Sequence, residues 1–165
     1  MNNIILIGMP GCGKSTVGVV LAKAMGYDFL DSDLLIQQRE GRVLSRILEE
    51  EGPDAFNRIE EDVNASIQAK RTVIATGGSV VYGPRAMEHL REIGTVIYLK
   101  LPLAEVAERL GDLTERGVSL HEGQTLEDLY RERIPLYEKY AHLTIDASGA
   151  GIRHVVTAIR QAVGM

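Results

Sequence analysis

The chain has 165 residues, 45% of them hydrophobic and 25% charged, with a formal net charge of -5. That composition suits one domain with its own core, and with no basic run it argues against a nucleic-acid partner. A single cysteine, Cys12, excludes a disulfide within the chain and disfavours a structural zinc site.

The start, Met1-Asn2-Asn3, lacks the basic region and apolar stretch of a signal peptide. No apolar run approaches the roughly 20 residues that span a bilayer. The expectation is a cytoplasmic protein with no membrane contact. Ile4-Ile5-Leu6-Ile7 is a short apolar run ending at Gly8, which predicts a strand buried on both faces of a parallel sheet. Val17, Val20, Leu21 and Ala24 recur at helical spacing and predict a helix from about Lys14 to Met25. Phe29-Leu30 is a short strand ending in Asp31-Ser32-Asp33. The segment from about Leu34 to Ala69 reads as helices broken near Gly41 and near Gly52-Pro53. Thr72 to Ala75 is a strand, Pro84 opens a helix to about Ile93, and Thr95 to Leu99 is a further strand. A helix follows Pro102 and ends near Leu110, the polar stretch from Gly111 to Gln124 reads as a loop, and Thr125 to Tyr140 as a helix. Leu143 to Ile145 is a fifth strand and Ile152 to Val163 a last helix. Strands alternating with helices predict an α/β fold with a parallel sheet, in one domain.

Gly8-Met9-Pro10-Gly11-Cys12-Gly13-Lys14-Ser15 satisfies G-x-x-x-x-G-K-[ST], between a predicted strand and a predicted helix as the motif requires. Gly11, Cys12 and Gly13 would turn backbone N–H groups inward around phosphates, beside the positive end of the helix that follows. Lys14 would reach the β- and γ-phosphates, and the Ser15 hydroxyl would hold Mg²⁺. ATP and Mg²⁺ are therefore the expected ligands, with Thr16 beside them. Cys12 reads as a small residue tolerated in the loop; the competing reading is a thiol activated at a helix N-terminus.

These residues, with Phe29-Leu30-Asp31-Ser32-Asp33, Phe56 through Glu60, Thr76-Gly77-Gly78, Arg116 and Arg133-Ile134-Pro135-Leu136-Tyr137, resemble the shikimate kinase family over nearly the whole chain. The resemblance implies a five-stranded parallel sheet, a lid over about residues 111–124 and a helical substrate-binding region over about 32–62. It implies a kinase acting on a small hydroxy acid, shikimate, at one of its hydroxyls; a monomer is expected. Asp31 and Asp33 stand at the carboxyl end of a strand, where open α/β sheets bind ligands. Asp31 would support the Mg²⁺ shell. In the family Asp33 holds the substrate hydroxyls, and a carboxylate there can take the proton of the one that attacks. Gly77 and Gly78 would let the substrate approach the backbone. The resemblance makes Arg116 the lid arginine that stabilises the transferring phosphoryl group, and Arg133 a clamp on the substrate carboxylate.

The chain departs from the pattern at three places. The family's second clamp is an arginine directly after the Phe of Phe-Arg-x-x-Glu; here Asn57 stands there, and Arg58 is turned about 100° away on a helix. Ser79 replaces a third glycine, and Arg116-Gly117-Val118 stands where Arg-Pro-Leu is usual. A kinase of another small polyol or hydroxy acid, gluconate-like, and a non-catalytic nucleotide-dependent binding module remain alternatives at this point.

Overall fold

The computed structural model describes residues 2–110, 118, 120–149 and 151–164. Five strands, β1 (Asn3–Ile7), β2 (Asp28–Asp31), β3 (Thr72–Ala75), β4 (Gly94–Lys100) and β5 (Leu143–Asp146), form one sheet in the order β2-β3-β1-β4-β5. Every neighbouring pair is parallel. Seven α-helices among the described residues connect and cover it: α1 (Lys14–Met25), α2 (Ser32–Glu40), α3 (Leu44–Ala65), α4 (Pro84–Ile93), α5 (Leu103–Arg109), α6 (Leu126–Tyr140) and α7 (Ile152–Ala162).

The central strands are apolar on both faces because helices cover both. Ile5, Leu6, Ile7, Val73 and Ile74 are all fully buried. Leu6 of β1 lies beside Ala75 of β3, which in turn lies beside Asp31 of β2. That register brings the phosphate loop, Thr76-Gly77 and Asp31-Ser32-Asp33 together at the carboxyl edge of the sheet. The chain crosses β1 on its way from β3 to β4, so this edge is also where strand order reverses, the usual place for a ligand crevice.

The helical breaks predicted near Gly41 and Gly52 are both present. Gly41 ends α2, and Gly52 takes φ 83° inside α3, where Pro53 cannot continue the hydrogen-bond ladder. The kink bends α3 over α2. A second small core, built from Ile36, Ile47, Phe56 and Val63, holds the two helices together away from the main one. The sequence reading placed the start of α2 near Leu34. It begins at Ser32, because the Asp31 side chain accepts the Asp33 N–H at 2.9 Å and caps it. A 3-10 turn at Val80–Tyr82 was not foreseen.

Ile47→Ala, in the second core, is expected to cost about 2–5 kcal/mol in urea unfolding. It should raise the KM for the acceptor more than the KM for ATP, because this core sets the position of α3 and not of the phosphate loop.

Candidate active site

The phosphate loop follows directly from β1. Gly13 sits in the left-handed region at φ 92° as it hands over to α1, a conformation that a side chain would strain. Lys14 is 7% exposed, and its Nζ donates to the carbonyls of Gly8 at 2.7 Å and Met9 at 2.9 Å. It therefore rests against its own loop, with its charge at the loop mouth. Cys12 turns its thiol into the core under the loop, 2% exposed, so only its backbone belongs to the loop surface.

Ser15 Oγ donates to Asp31 Oδ2 at 2.9 Å, and the other oxygen of Asp31 caps α2. Two hard oxygen atoms thus meet in the first turn of α1, beside the phosphate loop, and would suit a magnesium ion.

Behind the loop lies a cavity of about 380 Å³. Lys14, Ser15, Thr16, Asp33, Glu60, Gly77, Gly78 and Arg133 are among the residues that line it. The two glycines are required by space. A Cβ on Gly77 would lie 2.5 Å from Glu60 Oε2 and 2.7 Å from Asp33 Oδ1. One on Gly78 would lie 2.8 Å from Arg133 Nη1.

Arg133 is buried on α6, its guanidinium stacked 5.3 Å above the Tyr82 ring with Nε donating to the Tyr82 hydroxyl at 3.3 Å. One turn on, Tyr137 stacks on Tyr98 of β4 and donates its hydroxyl to the Gly78 carbonyl at 2.6 Å, locking α6 to the sheet. Pro135 removes a hydrogen bond on the exposed face of α6 and leaves the Arg133–Tyr137 face intact.

Asp33 is pushed up to about 6, first by burial and then by the charge of Asp31, with Lys14 opposing. A carboxylate with that value accepts protons readily near neutral pH.

Of the residues singled out from the sequence, Gly11, Gly13, Lys14, Ser15, Thr16, Asp33, Gly77, Gly78 and Arg133 line this one cavity. Asn57 is half-buried on α3, one turn before Glu60, and Arg58 points to solvent as its spacing predicted. Arg116 lies outside the described residues, as does most of the stretch 111–124 read as a lid.

Sequence reasoning gave no role to Glu60, Ser79 or Tyr82. Glu60 is completely buried, and Oε1 accepts the Ser79 hydroxyl. Its carboxyl is pushed up to about 8, first by burial and next by Asp33, against the Ser79 hydrogen bond and the charges of Arg133 and Lys14. The available signal was position: Glu60 shares the inward face of α3 with Phe56 and Asn64 at helical spacing, where a charge is out of place.

A shikimate kinase family profile matches residues 10–164. Shikimate kinase 2 of Enterobacter sp. strain 638 is 38% identical over 167 residues, covering 96% of each chain. The shikimate kinase of Mycobacterium avium is 39% identical, covering 94% of this chain and 92% of its own. The chain belongs to the shikimate kinase family. Membership makes it an enzyme, a small-molecule kinase with ATP as co-substrate. Among solved structures, Acinetobacter baumannii shikimate kinase in complex with shikimate superposes with a TM-score of 0.83 at 32% identity, covering 99% of this chain and 93% of that one. A deoxyadenosine kinase from M. mycoides shares the fold with a TM-score of 0.64 at 15% identity. Among the described residues no helix is long and apolar enough to cross a membrane.

Because Glu60 is raised from 4.5 to about 8, its stabilising share is full below pH 4.5 and is lost as pH rises to about 8. Thermal melts of the wild type and Glu60→Gln should therefore diverge between pH 5 and pH 9, the wild type losing about 5 °C or more against the variant. A pH-independent gap would show that Glu60 does not ionise in that window.

Proposed function

We propose that this chain transfers the γ-phosphoryl group of ATP to a hydroxyl of shikimate, giving shikimate 3-phosphate and ADP. The observation that carries this reading is the continuity of one cavity from Lys14 and Ser15 to Asp33 and Arg133. The donor's phosphates and the acceptor's hydroxyl then meet inside it.

The phosphate loop holds the β- and γ-phosphates with its backbone N–H groups and the end of α1. Lys14 leaves its carbonyl partners to follow the charge on the transferring group. Ser15 and Asp31 would hold a magnesium ion, which when bound would neutralise phosphate charge. Asp33 takes the proton of the attacking hydroxyl as its oxygen bonds to the γ-phosphorus. The bond from that phosphorus to the β–γ bridging oxygen breaks, and ADP leaves with the electron pair. Arg133, held by Tyr82, grips the acceptor's carboxylate. Residues 32–62 supply the acceptor side of the cavity. Residues 111–124 act as a lid, with Arg116 reaching the phosphates and water shut out, so that phosphate passes to the alcohol and not to solvent. The reaction suits the cytoplasm, where ATP is present.

Coupled ADP release across a panel of hydroxylated acids and sugars tests the assignment; good turnover of another alcohol and none of shikimate would overturn it. Lys14→Met and Asp33→Asn should each lower kcat about 10²–10³-fold while the protein stays folded. Asn57→Arg should lower the KM for shikimate by up to about tenfold, because a charge-assisted contact joins that of Arg133. A raised KM would mean that the space beside Asn57 is needed by the acceptor.

A further inference from the structure

In the Phe-Arg-x-x-Glu pattern the arginine and glutamate are three residues apart, a spacing that on a helix puts the two charges on one face, within reach of each other. This chain keeps the glutamate and has replaced the arginine with Asn57, which carries no charge. Glu60 is nonetheless 1% exposed, and a buried carboxyl needs a cation or a proton.

Three observations bear on how it is neutralised. Glu60 Oε1 accepts the Ser79 hydroxyl. Glu60 Oε2 is buried and has no hydrogen-bond partner among the described residues, and Asp33 Oδ1 is in the same condition. Both of these oxygens border the space left empty by the missing side chain of Gly77. Two carboxylates facing one small buried space cannot both hold a negative charge without a donor between them.

We propose that Glu60 is a positioning residue of the acceptor pocket, a neutral carboxylic acid that Ser79 holds by Oε1 so that the Oε2 proton faces Asp33 Oδ1 across the acceptor space. The proton supplies a neutralisation that the uncharged Asn57 cannot, while the Ser79 hydroxyl fixes the orientation of the carboxyl. The inference rests on the acceptor-pocket reading above and assigns a role to two residues outside it.

The consequence is for specificity. An acceptor oxygen in that space meets a donor from Glu60 and an acceptor in Asp33. A hydroxyl satisfies both at once; an ether, a ketone or an ammonium group leaves one of them unpaired. The charged groups facing Glu60 are Asp33 from α2, Lys14 from the phosphate loop and Arg133 from α6. Asp33 favours the protonated acid, and Lys14 and Arg133 oppose it. The Ser79 hydrogen bond also favours the ionised form, so its loss strengthens protonation while freeing the carboxyl to rotate.

Infrared difference spectroscopy between the wild type and Glu60→Gln, at pH 7 without ligands, reads the proton directly. The wild type should show the carbonyl band of a buried protonated carboxylic acid, and Glu60→Gln should lack it. Absence of that band from the wild type overturns the proposal, whatever the acceptor proves to be. Loss of kinase activity toward shikimate, by contrast, would leave the band in place and count only against the acceptor.

Kinetics supply the second readout. Glu60→Ala should lose about 10–100-fold in kcat/KM for shikimate, and Glu60→Gln, which keeps the donor and acceptor in place, should recover to within about tenfold of the wild type. The wild-type kcat/KM should fall above about pH 8, where Glu60 ionises. That fall should disappear in Glu60→Gln and move to higher pH in Ser79→Ala. Failure of Glu60→Gln to rescue, or an unchanged alkaline fall in it, would show that the charged carboxylate is what the enzyme uses.

Discussion

At Gly77 the volume that a methyl group would fill is bounded by Glu60 Oε2 and Asp33 Oδ1, and at Gly78 by an arginine nitrogen. A side chain at either residue would force these groups to shift. The rest of the site is arranged around keeping this space open at the end of a buried strand. β3 delivers Gly77-Gly78 between Asp33 and the phosphate loop because it is paired with β2 on one side and β1 on the other. Tyr137 then fixes the Gly78 carbonyl from above, which also sets Arg133 one turn earlier on α6.

Charge is the second constraint, and it follows from the first. The carboxyl oxygens that border the space are buried, so charges around it interact strongly. Lys14 and Arg133 face Asp33 and Glu60 across it, with Asp31 behind. ATP and a carboxylate acceptor both bring negative charge to this place. A proton retained on Glu60 lowers the negative charge already there and leaves Asp33 as the carboxylate able to receive the hydroxyl proton. Asp33 and Glu60 differ in their surroundings: Asp33 is raised by burial and by the charge of Asp31, while Glu60 is the more deeply buried and is raised by burial and by Asp33. Their environments push the two apart, which is how two carboxyls in one site come to serve different purposes.

Much of this was legible in the sequence because it is written in local patterns. The phosphate loop is one unbroken string, and the strands announce themselves as short apolar runs such as Ile4-Ile5-Leu6-Ile7. Asp31 and Asp33 were marked by standing where a strand stops. The Glu60–Ser79 pair was not legible, since it joins two residues 19 apart that meet only after the chain leaves α3 and β3 takes its place in the sheet. A glutamate three residues after Asn57 reads equally well as a solvated helix residue until its burial is known. The same holds for Tyr82, whose service to Arg133 depends on a 3-10 turn too short to leave a period. Cys12 was read as a small residue tolerated in the loop, with a reactive thiol as the competing reading; its side chain is turned inward and buried.

The central claim is that one cavity seats the reacting phosphate and the hydroxyl that attacks it, with Asp33 between that hydroxyl and the protein. A crystal structure with shikimate and a non-hydrolysable ATP analogue tests it most directly. The account predicts the attacking hydroxyl within about 2.6–3.2 Å of an Asp33 carboxylate oxygen, beside Gly77 and in line with the γ-phosphate held at Lys14. Shikimate bound with Asp33 out of reach of every hydroxyl, or seated away from the Gly77–Gly78 space, would contradict it.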